Sequence, residues 1–216
     1  MSCRVCTVEP MRLGSHPPRP PAGRLPAVGQ LPVTFSYAEA RAAGLSKYGV
    51  YRLRDAGVLE VLGRGLYRRT DGPPADVGLV AVAVRAPAAT VCLTSALARY
   101  GLTDAIPAAT DIALPRGTRR PAVAAAVVWH AFDPDTFVLG RDFLDLDGTT
   151  SIGLYSAERS IIDAFRTRRT EGHELAYEAL RRWLRRPGSQ PAQLVRLAAA
   201  FSRVSTPLRA ALEILL

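Results

Sequence analysis

The sequence predicts a mixed α/β (α+β) chain in two folded units. A small unit of two helices and a β-hairpin comes first; a larger domain follows, with a small, mostly antiparallel sheet and a C-terminal helical region. Three observations predict this. Capping and glycine signals punctuate residues 35–70 as helix, turn, helix, strand, turn, strand. Asp71-Gly72-Pro73-Pro74 then reads as a linker. Beyond residue 155, apolar residues recur at helical spacing in four successive stripes.

In order, residues 1–32 read as a disordered, proline-rich arm, because Pro17, Pro18, Pro20, Pro21, Pro26 and Pro32 prevent any long helix. Cys3 and Cys6 are spaced like half of a zinc site, with only His16 near them, and read as incidental thiols. Residues 33–72 form the first unit. Ser36 and Glu39 make a capping box for a helix over Tyr37 to Ala43. Ser46 caps a second helix, Lys47 to Ala56, which Gly57 ends. Val58 to Leu62, Gly63-Arg64-Gly65 and Leu66 to Arg69 then give strand, turn and strand. This order is that of a winged helix-turn-helix.

Residues 73–216 form the α/β domain. Val77 to Val84 and Leu93 to Tyr100 look helical, while Asp111 to Leu114, Ala126 to Phe132, Phe143 to Leu146 and Ile152 to Tyr155 look like strands. Helices follow on the stripes of Ile161, Ile162 and Phe165, of Ala176, Leu180 and Trp183, of Leu194 and Phe201, and of Leu208 and Leu212.

Charge narrows the function. The chain carries 28 basic and 19 acidic residues, net +9, which favours a polyanionic partner. The excess sits in residues 1–72 and 151–216, around a mildly acidic middle. Lys47 is the single lysine. That excludes a P-loop, and it excludes any lysine-dependent site away from residue 47. No apolar run approaches the roughly 20 residues of a membrane-spanning helix. With three cysteines and no secretory h-region, the expected compartment is the cytoplasm.

Val50 and Leu53 lie three apart and must face the core. The opposite face of that helix then presents Ser46, Lys47, Tyr48, Tyr51, Arg52 and Asp55. A helix about 15 Å long suits the major groove of double-stranded DNA. Ser46 with the helix start fits a phosphate; Lys47 and Arg52 fit guanine edges or phosphates; Tyr48 and Tyr51 fit phosphates or thymine methyls. Arg64, between two wing glycines, fits a minor groove, with Arg68 and Arg69 on phosphates behind it. Lys47, Arg52, Arg64 and Arg68 on four phosphates would give a salt slope near −4. Such a unit also serves elsewhere as a protein-binding module. Arg181, Arg182, Arg185 and Arg186 form a second basic surface, part of which is helix surface paired with Glu178.

The run from Phe35 to Ser46, continuing to Asp55-Ala56-Gly57 and Gly63-Arg64-Gly65-Leu66-Tyr67, resembles the N-terminal domain of AbiEi-type antitoxins. Cys92 to Leu97 with Gly101-Leu102-Thr103, Ile112 to Gly117, and Tyr155 to Phe165 resemble that family's second domain. The resemblance implies the antitoxin half of a type IV toxin–antitoxin pair. It implies a winged domain that represses the shared promoter at inverted repeats. It also implies a C-terminal domain needed to neutralise a nucleotidyltransferase-like toxin, generally without a stable complex. Relatives carry a helix before the Ser36-capped one. Here the proline-rich stretch Arg24 to Pro32 stands in that place, so the trihelical core is either incomplete or completed by another segment.

Catalytic readings are weaker. His130, Asp133 and Asp135 suggest a metal or acid–base pair, but Asp-Pro-Asp reads first as a turn. Asp142, Asp145 and Asp147 read as a solvated face. Ser95 and Ser160 lack a nucleophile motif. The expectation is a non-enzymatic protein without metal or cofactor. A ligand-responsive regulator, or a winged-helix-fused nuclease, are the competing readings.

Overall fold

The computed structural model describes residues 28–170 and 172–216. In the first unit, β1 (Thr34–Ser36) runs into α1 (Tyr37–Ala42) through the expected capping box. The Glu39 N–H donates to Ser36 Oγ at 3.2 Å, and the Ser36 N–H donates to the Glu39 carboxylate at 2.6 Å. Helix α2 (Lys47–Asp55) starts at Ser46, whose Oγ accepts the Gly49 N–H. Strands β2 (Leu59–Gly63) and β3 (Leu66–Arg69) form the wing. β1 adds to it, giving the antiparallel order β1-β3-β2. Three residues are too few to show strand alternation, so β1 is not legible in the sequence.

The small core gathers Phe35, Ala40, Leu45, Val50, Leu53 and Leu59. A 3-10 turn, Val28–Gln30, and the buried Leu31 complete it. Arg69 fastens that segment: its Nη1 donates to the carbonyls of Leu31 and Gly29, while Asp71 holds the other side of the guanidinium at 2.7 Å. The folded chain therefore reaches into the stretch expected to be an arm. The remainder of that stretch, with Cys3, Cys6 and His16, lies outside the described residues.

The second domain begins with α3 (Val77–Arg85), β4 (Thr90–Val91), α4 (Leu93–Arg99), β5 (Thr110–Pro115) and β6 (Val127–Phe132). It continues with α5 (Pro134–Phe137), β7 (Arg141–Asp145) and β8 (Ser151–Tyr155). Helices α6 (Ala157–Thr167), α7 (His173–Leu184), α8 (Pro191–Ala198) and α9 (Ser205–Leu215) close it. The sheet order is β6-β5-β4-β8-β7. The pairs β5–β6 and β4–β8 are parallel; β4–β5 and β7–β8 are antiparallel. The sheet is thus evenly mixed rather than mostly antiparallel. The long return from β5 to β6 allows a parallel neighbour, which a tight hairpin would forbid. The two-residue β4, central in the sheet, carries no sequence signal of its own.

Leu79 and Val82 of α3 cover one face of the sheet, over Ile112, Leu114 and Ile152. α4, α5 and α6 cover the other. Helix α6 is also the hub of the helical region, with Ile161, Ile162 and Phe165 packed among Leu180, Trp183, Leu194 and Leu208. Apolar packing and hydrogen bonds join the two units. Leu62 and Leu66 of the wing pack on Val80 and Ala81 of α3. Arg85 Nη2 donates to the Arg64 carbonyl at 2.9 Å. Thr34 Oγ1 donates to Asp147 at 3.2 Å. Asp147, expected on a solvated face, is instead buried. It accepts the Thr149 and Thr150 N–H groups, which shape the β7–β8 turn around it.

Arg159 is fully buried. Its Nε donates to Asp163 at 2.9 Å, and its Nη1 donates to the carbonyls of Thr136 and Leu139. The rings of Tyr155 and Phe201 lie 4.2 and 4.4 Å from its guanidinium carbon. Removing the carboxylate strands that charge in the core. We expect Asp163→Ala to cost about 3–5 kcal/mol of unfolding free energy. Arg166→Ala, which removes the more exposed partner, should cost about 1 kcal/mol or less. Urea denaturation of the two variants checks the ranking.

Candidate nucleic-acid interface

The periodicity of α2 sorts its side chains as the sequence predicts. Val50 and Leu53 are buried, while Ser46, Lys47, Tyr48, Tyr51, Arg52 and Asp55 are exposed. Tyr48 is 73% exposed, far more than a core-edge tyrosine would be. Tyr51 lies between two cations, with Lys47 Nζ 5.8 Å and the Arg54 guanidinium carbon 5.1 Å from its ring centre. Such stacking fixes the ring and extends the cationic stems along the helix. Arg54 is held by Asp55 at 2.6 Å, so Lys47 and Arg52 carry the positive charge of this face.

Arg64 is exposed at the wing tip, between Gly63 and Gly65. Gly65, at φ 69°, lies in the left-handed region that this tight turn requires. The bond from Arg85 to the Arg64 carbonyl pins the tip backbone and leaves the Arg64 side chain outward. Arg68 does not join this face. It is 5% exposed, and its guanidinium turns inward to the Pro73 carbonyl. Strand alternation explains the correction: Leu66 and Arg68 share the buried side of β3, while Tyr67 and Arg69 lie on the other. Arg69 is likewise committed to the 3-10 turn.

The second basic surface divides. Arg182 pairs with Asp104 and Glu178, and Arg186 donates to the Tyr100 carbonyl. Both staple α7 to the segment after α4. Arg181 on α7 and Arg185 just after it are exposed.

Residues 28–70 match a family model described as transcriptional regulator, AbiEi antitoxin. The winged unit is AbiEi-like. The match stops at the linker and leaves the second domain outside it. No curated protein matches the chain. Among solved structures, the RV2827C protein from Mycobacterium tuberculosis is similar at 19% identity with a TM-score of 0.48, over 84% of this chain and 76% of that one. That likeness is too distant to support an argument.

Behind the AbiEi-like unit, the second domain assembles residues that the sequence leaves apart. Asp111 on β5 accepts from Ser95 Oγ at 3.1 Å and from the Ser95 N–H at 3.2 Å, and its other oxygen lies 2.9 Å from His130 Nε2. The neighbouring strands β5 and β6 place Ala113 beside His130, which brings the imidazole to Asp111 on the same face. The carboxylate sits between hydroxyl and imidazole, so His130 does not touch Ser95. A serine nucleophile needs its base on the hydroxyl, and this order supplies none. Asp133 caps α5 by accepting the Asp135 N–H, and Ser160 donates to the Ser156 carbonyl. Among the described residues, no three His, Cys, Asp or Glu side chains group to hold a metal ion. No described helix is long and apolar enough to cross a membrane.

Burial alone would raise the Asp111 carboxyl, but the bonds from His130 and Ser95 hold it below the ordinary carboxylate range. A depressed folded value adds stability above the unfolded value, near 4, and loses it as pH falls. We expect Asp111→Asn to lower the melting temperature at pH 7. The gap to the parent protein should narrow towards pH 3, as a melting series across that range would show.

Proposed function

We propose that this protein is the antitoxin of a type IV, AbiE-like pair, which represses its own operon at promoter inverted repeats and counters a nucleotidyltransferase-type toxin. One observation carries the DNA-binding half: α2 presents Ser46, Lys47, Tyr48, Tyr51 and Arg52 on one exposed face, with Arg64 projecting from the adjoining wing. In a major groove, Lys47 and Arg52 reach base edges or phosphates, and Arg64 enters the neighbouring minor groove. The family match of the same residues supports a regulator. The antitoxin half rests on that match together with the sequence motifs of the second domain.

A footprint on the DNA immediately upstream of the gene tests the repressor role. Protection of an inverted repeat is expected, and Arg52→Ala or Arg64→Ala should each abolish it. With Arg68 buried, three cations reach phosphate, so the salt slope should be about −3 per monomer. Arg68→Gln should change folding stability and leave that slope alone. Uniform or absent protection of folded protein would overturn the repressor role.

The antitoxin role has its own readout. Expression of the protein should restore growth to cells expressing the adjacent toxin gene, and Arg52→Ala should retain the rescue while losing the footprint. Failure to rescue at matched expression would favour the second reading, a ligand-responsive regulator.

A further inference from the structure

Arginines from two segments converge on one groove of the second domain. Arg166 stands in the last turn of α6, Arg168 and Arg169 just beyond it, and Arg203 in the turn before α9. With Ser202 they line an open groove of about 250 Å³. A water takes about 30 Å³, so phosphate groups fit there with room left. Arg166, Arg169, Ser202 and Arg203 are exposed, and Arg168 is half-buried.

The fold does not neutralise this charge. Asp163 serves two guanidiniums, Arg159 at 2.9 Å and Arg166 at 2.6 Å, which leaves the trio one positive charge in excess. Arg168 donates to the Phe165 carbonyl, a neutral acceptor near the end of α6. Among the described residues, no carboxylate pairs with Arg168, Arg169 or Arg203. Arginines at a helix C-terminus suit its dipole, which accounts for Arg166 and Arg168. It does not account for Arg203, which lies outside that helix. Its φ of 63° falls in the left-handed region, where glycine is the ordinary residue.

The groove is built for phosphates in a row. Asp163 holds Arg166, whose guanidinium carbon lies 5.6 Å from the Phe132 ring centre and 5.8 Å from that of Phe201. A guanidinium already in position loses less freedom on binding. Planar forks match phosphate oxygens in pairs. Four of them exceed what one phosphate, with at most about two charges, can engage. Phe132 and Phe201 are buried and offer no face on which a base can stack, so recognition is of the backbone and tolerates any sequence. The wing rests on α3, across the sheet from α6. A duplex lying along α2 and Arg64 therefore has the sheet between it and this groove. A recessed, positive groove suits a single strand, which can enter it, rather than a stiff duplex. The abundant single strand of a cell is RNA.

We propose that this groove binds single-stranded RNA through its phosphates, with Arg166, Arg168, Arg169 and Arg203 as the contacts. The site is independent of the winged unit's role in DNA binding, and the two nucleic acids can be held at once.

Fluorescence anisotropy of a short, labelled RNA of mixed sequence, titrated with the full chain, tests it. Binding tighter than about 100 μM at low salt is expected. Four arginines on four phosphates should give a salt slope of about −3, since a single strand contributes roughly −0.7 per contact. R168Q/R169Q/R203Q should weaken binding about tenfold or more and bring the slope to about −1 or shallower. Arg166 stays in that variant, because its removal would also unbalance Asp163. Arg52→Ala, Arg64→Ala and R181Q/R185Q should leave RNA affinity nearly unchanged, and thermal melting confirms that each variant is folded. Unlabelled promoter duplex should not displace the RNA. Absence of RNA binding would overturn the proposal. So would RNA affinity that survives the triple replacement, or that is lost with Arg52 or Arg64, which would put the strand on the winged face. Displacement by duplex DNA that depends on the same three arginines would overturn it too and make the groove a second duplex contact. Displacement by inorganic phosphate or a nucleoside triphosphate at matched phosphate concentration would reduce the groove to a small-anion site and overturn it as well.

Discussion

The second domain is organised around a buried guanidinium. Arg159 takes its neutralising charge from Asp163 one turn along α6 and spends two further donations on carbonyls at the end of α5 and just beyond it. Those bonds fix α6 against the return into β7, while Tyr155 of β8 and Phe201 after α8 stack on the cation. Sheet, connecting turn and C-terminal helices thus meet at one side chain. Gly140 is a consequence: a Cβ there would lie 2.7 Å from the Arg159 Cβ, and its φ of 67° favours glycine independently. A charge in this position is tolerable because a carboxylate, two carbonyls and two aromatic faces surround it.

The joint between the two units has a functional consequence. The apolar roots of the wing rest on α3, Arg85 holds the wing tip backbone, and Asp147 receives Thr34 from the first strand. The wing therefore has a fixed pose relative to the second domain. Burial pulls the Asp147 carboxyl upward, but the threonine hydroxyl and amide bonds bring it below its ordinary value. It is therefore ionised at neutral pH, where it accepts the Thr34 hydroxyl.

Arginine serves three separate purposes in a chain with a single lysine. Arg52 and Arg64 stand in solvent, where they can meet a polyanion. Arg68, Arg69, Arg159, Arg182 and Arg186 close the fold by binding backbone carbonyls or carboxylates. Arg166, Arg168, Arg169 and Arg203 line a groove. The planar fork suits all three purposes because it satisfies several acceptors at once. Net charge alone could not apportion them.

The sequence by itself determined what depends on neighbours within one or two helical turns. The Ser36–Glu39 capping box, the start of α2 at Ser46, the inward Val50 and Leu53 and the outward Lys47, Tyr48, Tyr51 and Arg52 all follow from local spacing. So do the four C-terminal stripes. Tertiary structure decided what depends on pairing across distance. β1 and β4 exist because partner strands far along the chain hold them, and the parallel pairs follow from long returns. Arg68 turned inward through its strand's alternation and the nearby Pro73 carbonyl. Asp147 turned inward to meet Thr34. The same holds for Ser95, Asp111 and His130, which sit on three separate segments that only the pairing of β5 with β6 and the packing of α4 bring together.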